Sequence, residues 1–480
     1  MDFSRLKSFV DAEWTARVMD PLLEYMAIPC ESPAFDPAWA EHGHIDRAAA
    51  LLADWARAQL SSVPGATVEV IRLESRTPIV FVEIPGDSGD PVLIYGHLDK
   101  QPPMEPWAHG RSAWVPSLEG DRLYGRGGAD DGYSIFSAVL SVLALREQGA
   151  SHPRCLILIE GCEESGSEDL PFYIDHLLDR LGRPGLVVAL DSGCGDYDQL
   201  WVTTSLRGQV AGVLSVRVLT QGVHSGEASG IVPSSFRIAT RLIARLEDPD
   251  TGEIVAPGFA VVIPEQRRLE AAAAAVALGS KIHGVLPFVE GARPVSPSGA
   301  QLALNRSWRP QLAVTGIDGL PAVDEAASVM EPFTALKLSL RVPPTSDPIE
   351  TGRALKNLLE SDPPYGAAVS FDIDFVSPGW HAPATEPWLS ESLQRASQQT
   401  FGRSSALFGG GGGIPFLTML GEKFPQTQFV VTGVLGPQSN AHGPNEFLHL
   451  PTALKVTAAL SQVLHDAAAG SRIRKARPAP

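Results

Sequence analysis

The chain is poor in cysteine, in long apolar runs and in positive charge. Four cysteines (Cys30, Cys155, Cys162 and Cys194) are spread over 480 residues, with no CxxC pair. This excludes a disulfide-stapled scaffold and a cysteine zinc ribbon. No apolar run reaches the ~18 residues of a membrane span. The alanine-rich stretch 271–278 is too short for one and reads as a buried helix face. The opening segment MDFSRLKSFVDAEW mixes charged and apolar residues at helical spacing, without the apolar h-region of a secretory signal. Lys and Arg together number 38 against 55 Asp and Glu, a formal charge of −17. Such a balance disfavours nucleic acid and anionic membrane as partners. No GxSxG nucleophile elbow occurs, which leaves serine-hydrolase chemistry of that type without an anchor. The expectation is a cytoplasmic enzyme.

What is present supports a packed core: 44% of residues are apolar and 19% charged. The length allows two or three domains of ~100–200 residues. In the first 200 residues, nearly continuous apolar runs alternate with amphipathic stretches. PIVFVEI (78–84), PVLIYG (91–96), CLILIE (155–160) and LVVAL (186–190) read as strands, the last three buried on both faces. Residues 4–27, 45–60 and 133–148 read as helices. From about 207 the pattern changes. VAGVLSVRVLT (210–220), TALKLSLRV (334–342) and AVSFDIDFV (368–376) alternate like half-exposed strands, with helices at 234–247 and 348–360. The buried-strand style returns with QFVVTGVL (428–435), between helices at 388–400 and 452–468. This predicts an α/β fold with a central, mostly parallel sheet flanked by helices, formed by residues 1–206 and 387–480. A two-layer α+β domain at 207–386 is inserted into it.

The buried strands deliver chemistry at their ends. PVLIYG leads into His97 and Asp99, CLILIE into Glu163 and Glu164, LVVAL into Asp191, and QFVVTGVL through a loop into His442. Asp130 and Asp131 sit in the glycine-rich turn GRGGADDG ahead of a helix. In open α/β sheets, sites form beyond the carboxyl ends of the strands. Two histidines and three carboxylates suit Zn²⁺, and also Mn²⁺ or Co²⁺. A further carboxylate is needed to move the proton of an attacking water. Taken singly, each residue also fits a plainer role. Asp130-Asp131 fits an N-cap, Asp191 a turn, and the Glu163-Glu164 pair a solvated surface. Cys162 and Cys194, beside these positions, fit small buried packing.

Together, GHLD (96–99), YGRGGADDG (124–132), EGCEESGS (160–167), LDSG (190–193), VHSG (223–226), LRVPP (340–344), GGGIP (411–415) and NAHGPNE (440–446) resemble the M20 metallopeptidases. Within that family they resemble the dipeptidase branch with carnosinase-like members. The resemblance spans nearly the whole chain. It implies that His97 and Asp191 bind one metal, Glu164 and His442 a second, and that Asp130 bridges them through a cis Asp130-Asp131 peptide. It implies Glu163 as general base and then general acid, with a hydroxide bridging the metals as nucleophile and Asp99 orienting His97. It also implies that His224 stabilises the oxyanion in a neighbouring subunit, that Arg341, Gly412 and Gly413 contact the substrate, and that 207–386 is a lid that carries a homodimer contact. The implied activity is cleavage of an amide in a dipeptide or similar small peptide, with N-acyl amino acid deacylation as the alternative. Two departures stand out. The family's loop commonly reads Arg-Glu-Gly-Gly-Ser-Ile-Pro, whereas residues 409–413 here are all glycine. Gly132-Tyr133 follows Asp131 where the branch usually has Lys-Gly.

Overall fold

The structure is a computed structural model that describes residues 1–87 and 89–475. Its larger sheet has nine strands. At the centre Cys155–Glu160, Val92–His97, Leu186–Ala189 and Gln428–Val431 lie side by side, all parallel. Ile79–Ile84 and Thr67–Ile71 extend one end antiparallel. Trp201–Leu206 closes the other end, flanked by Ala406–Gly410 and Trp380–His381.

The continuous apolar runs follow from two cores. Successive side chains of a strand point to opposite faces. Val92 and Ile94 therefore enter one core, with helices His44–Leu60, Tyr133–Arg146 and Leu450–Lys475. Leu93 and Tyr95 enter a second core, with Leu170–His176 and Pro415–Lys423. All four side chains are buried, so no polar alternation survives in the sequence.

A second sheet is fully antiparallel, in the order Gln311–Asp318, Phe333–Val342, Gly208–Arg217, Ala368–Ser377. Its alternation is of the one-sided kind. Leu336, Leu338 and Leu340 bury against helices Ser235–Ile243 and Pro348–Glu360. Lys337, Ser339 and Arg341 face the other way.

Three segments differ from the sequence reading. The stretch between 248 and 333, irregular in sequence, holds helices Glu265–Leu278 and Gly299–Ser307 and the strand Gln311–Asp318. The two helices pack on each other and on Ala406–Gly410, so part of this segment lies on the edge of the large sheet. The glycine-rich stretch from 408 begins as a strand rather than a loop, because Gly409 and Gly410 continue the ladder beside Ser205 and Leu206. Trp380 and His381, in a Pro-rich stretch to which the sequence assigned no strand, also pair with Trp201–Leu206. The alanine-rich stretch is a helix face as expected, with Ala271, Ala274 and Leu278 inward. Among the described residues, no helix is long and apolar enough to cross a membrane.

Candidate active site

Four parallel strand ends and one turn bring the titratable residues to one sheet edge. His97 ends its strand directly opposite Glu160. Glu163 and Glu164 follow in a short 3-10 turn, Glu163–Ser165. Asp191 lies two residues past Leu186–Ala189. Asp130 lies in the turn Gly128–Gly132 at the start of helix Tyr133–Arg146, and the Asp130-Asp131 peptide is cis.

Asp130 sits between two imidazoles. One of its oxygens, Oδ1, is 3.5 Å from His97 Nε2, and the other, Oδ2, is 3.0 Å from His442 Nε2. Asp191 Oδ2 approaches His97 Nε2 to 4.0 Å, and Glu164 Oε2 approaches His442 Nε2 to 3.3 Å. His97, Asp130 and Asp191 thus form one group of potential ligand atoms, all within 4.8 Å of one another. Asp130, Glu164 and His442 form a second. His97 Nε2 is buried and has no hydrogen-bond partner. A buried ring nitrogen left unpaired is costly unless something occupies it. The donor set, imidazole and carboxylate with no thiolate, fits two divalent ions.

Protons take over part of that role. Burial pushes Glu164 up, helped by the charge of Asp130, to about 8. Burial likewise raises Asp191 to about 6. Burial lowers His442, but its bond to Asp130 and the charge of Glu164 outweigh this and hold it at about 9. The same contest leaves His97 well above its usual value. Burial also raises Asp130, yet the neighbouring imidazoles of His442 and His97 outweigh it and hold Asp130 below the usual carboxylate range. Glu163 is held well above the usual value, first by burial and then by the charge of Asp191.

A second set of residues fixes the first. His97 Nδ1 lies 3.0 Å from the main-chain carbonyl of Asp99, whereas the Asp99 carboxylate is 3.6 Å away. That carboxylate instead accepts the amides of Glu163 and Glu164, each at 3.0 Å. Gln101 donates to Glu164 at 2.7 Å. Arg126 and Glu446 form a buried ion pair at 2.5 Å. Glu446 also accepts the amide of Gly127, and Arg126 donates to the Gly443 carbonyl. The pair therefore ties the Asp130 turn to the His442 loop. Sequence reasoning assigned no role to Arg126, Glu446 or Gln101, although the first two lie inside quoted motifs.

Small residues are required where these segments meet. A Cβ on Gly96 would lie 2.2 Å from Ser134 Oγ and 2.5 Å from Asp131 Oδ2. A Cβ on Gly132 would lie 2.1 Å from the Tyr25 ring and 2.6 Å from the Gly127 carbonyl. The Tyr25 hydroxyl donates to the Leu98 carbonyl beside the site, so the ring cannot easily retreat. Gly132→Ala is expected to destabilise the protein by ~1–3 kcal/mol, the usual cost of overpacking. A wild-type Tm with full metal content in that variant would contradict this packing account.

The other expected residues lie elsewhere. His224 is exposed, on a two-residue strand paired with Val329–Met330, outside both ligand groups. Arg341 is half-buried on the open face of the second sheet, opposite Gln209. Gly412 has open space where a side chain would go, while a Cβ on Gly413 would lie 3.2 Å from the Arg207 carbonyl. At Gly409 and Gly410, Ser307 and Leu206 occupy the room that side chains would need, at 2.3 and 2.6 Å. Arg207 and Arg306, which the sequence did not single out, flank this loop. Cys162 is buried and Cys194 partly so, both as free thiols.

Residues 93–466 match the family model described as Peptidase family M20/M25/M40. A cysteinylglycine-S-conjugate dipeptidase of Corynebacterium striatum is 25% identical over 406 residues, covering 82% of this chain and 85% of that protein. Human carnosine dipeptidase 1 superposes with a TM-score of 0.74 at 21% identity, over 97% of this chain and 99% of the other. The di-peptidase Dug1p from Saccharomyces cerevisiae gives 0.73 at 18% identity, over 98% and 99%. At these identities the structural likeness establishes the fold.

Proposed function

This chain belongs to peptidase family M20/M25/M40, and from that membership we propose that it is a metal-dependent dipeptidase acting on small unblocked peptides. The observation that carries the reading is the pair of three-residue groups that share Asp130, with Glu163 beside them. His97 and Asp191 would hold one ion, Glu164 and His442 the other, and Asp130 would reach both. Zn²⁺ suits this set first, with Mn²⁺ and Co²⁺ as alternatives. When bound, such ions polarise a carbonyl and lower the pKa of water toward ~7.

The chain's own residues do the rest. Glu163 accepts the proton of the attacking water and returns it to the leaving amine. Its raised proton affinity in the metal-free cluster suits a group that must both take and give. Asp99 holds the Glu163 and Glu164 amides and so fixes base and ligand together. Arg341 offers a planar fork to a substrate carboxylate, and the backbone N–H groups of Gly412 and Gly413 can face an anion. His224 stabilises the oxyanion from a second subunit, in a cytoplasmic homodimer joined through the inserted domain 207–386. The edge strand Gln311–Asp318 supports that contact, with Val314 and Ile317 more than half exposed.

The test is a panel of unblocked dipeptides and N-acyl amino acids, with chelated enzyme reloaded separately with Zn²⁺, Mn²⁺ and Co²⁺. Metal-dependent release from dipeptides is the expected result. Release from acylated substrates alone would instead establish an N-acyl amino acid deacylase.

A further inference from the structure

Among the described residues, the buried arginines have carboxylate partners, with one exception. Arg126 is paired with Glu446, and Arg267 with Glu270 at 2.7 Å. Arg207, only 8% exposed, has none. Its Nη1 donates to the main-chain carbonyls of Asn305 and Arg309, and its Nε is buried without a partner. The charges nearest to it are positive. After burial, Arg341 and Arg306 are what pull Arg207 down, to about 10. Among the described residues, no carboxylate pairs with Arg207, Arg306 or Arg341.

Two of these arginines, Arg207 and Arg306, border the all-glycine loop. A Cβ on Gly411 would lie 3.5 Å from Arg207 Nη2 and equally close to Arg306 Cγ, and at Gly412 nothing lies within 4 Å. Arg341 stands opposite Gln209, two residues along the chain from Arg207. The loop leads directly into Phe416, whose ring lies 3.6 Å from that of Tyr95. Tyr95 lies two residues before His97 on the same strand, Val92–His97. The loop that Arg207 and Arg306 flank therefore packs, through Phe416, on the strand that ends at the proposed ligand His97. A loop without side chains contributes no counter-charge of its own. The α-carboxylate of a dipeptide would answer one guanidinium and leave two. Arg306 is exposed and Arg341 half-buried, but Arg207 is held away from water without an anion. A buried unpaired charge is unfavourable, and Arg forks bind carboxylates well.

Resting on the dipeptidase reading, we propose that the amine-side residue of the substrate is a dicarboxylic amino acid. Its α-carboxylate is held by Arg341, and its side-chain carboxylate is held by Arg207 and Arg306 beside Gly411, in the space left open at Gly412. The test compares kcat/KM of the metal-loaded enzyme for Ala-Glu against Ala-Gln, and for Ala-Asp against Ala-Asn. These pairs differ in charge far more than in shape. The acidic member is expected to be preferred at least about tenfold, as for the loss of one charge-assisted hydrogen bond. The preference should reside mainly in KM, collapse in Arg306→Met and partly return in Arg306→Lys. Calorimetric binding of L-glutamate against L-glutamine to the same metal-loaded protein gives a second readout, because both carry the α-groups that metals also recognise. Equal turnover of acidic and neutral dipeptides would overturn the inference and leave the dipeptidase reading standing. If no dipeptide is cleaved, the dipeptidase reading fails. The glutamate-to-glutamine binding ratio then decides the pocket by itself: about tenfold supports it and parity overturns it.

Discussion

Glu163→Gln should lower kcat by roughly 10²–10⁴, the range that a positioned general acid–base group supplies. Metal content and Tm should stay close to wild type. The amide keeps the size of the carboxylate, and the Glu163 main-chain bond to Asp99 does not involve the side chain. The amide also removes the cost of keeping protonated, in the folded metal-free protein, a carboxyl that ionises freely when unfolded, since burial, Asp191 and Glu164 all push Glu163 toward its neutral form. A modest gain in the stability of the metal-free variant is the secondary expectation. The informative contrast is with Glu164→Gln, which should lose metal as well as turnover. Near-normal kcat in Glu163→Gln would remove the base assignment, and loss of metal in that variant would move Glu163 among the ligands.

Chelation should abolish turnover and leave a protein whose stability falls as pH rises from 6 to 9. The sign comes from four groups. His97 and His442 are held above their unfolded value of 6.5, so their contribution is complete below that pH. It is lost as pH climbs through the raised values, about 9 for His442. Glu164 is pushed above its unfolded value to about 8, so ionising it burdens the folded state up to that pH, whereas Asp191, raised to about 6, gives most of its slope, of the same sign, below pH 6. Asp130, held low, is ionised throughout and adds no slope there. All four sloping terms run the same way. Binding of metal must displace these protons, so loading near pH 7 should release roughly two to three of them, and fewer above pH 9. Thermal melts of chelated and reloaded protein at pH 6 and pH 9, with titration calorimetry in buffers of different ionisation heat, check both statements. A metal-free protein equally stable at both pH values would show that the cluster does not hold protons in this way.

How much of this was legible beforehand depended on the burial pattern. The four central strands were readable because both faces are buried, which leaves short uninterrupted apolar runs such as PVLIYG and CLILIE. Their endings pointed to His97, Glu163, Glu164 and Asp191, and the structure brings these to one edge with Asp130 and His442. Trp201–Leu206 escaped notice because its interior is WVTTSL. Thr203 and Thr204 are buried there through hydroxyl bonds to Ser192 and Glu270 rather than through apolar packing. Ala406–Gly410 was hidden because glycine carries no strand signal, and its place is set by the close approach of Ser307 and Leu206. Arg207 had no motif to mark it. Its significance is a lack of partners, which only three-dimensional neighbours reveal.

The double acceptance by Asp99 has a mechanical consequence. One short segment, His97 to Asp99, carries an imidazole at its start and a clasp for two amides at its end. The imidazole on one strand and the proton carrier on the next are thereby parts of a single rigid body. Breathing of the sheet that separates the two strands would have to break both hydrogen bonds from the Glu163 and Glu164 amides before it could change the spacing between ring and base. Alignment in this centre is thus protected by the backbone, and drift at the rim of the fold reaches the reacting atoms only after that clasp opens.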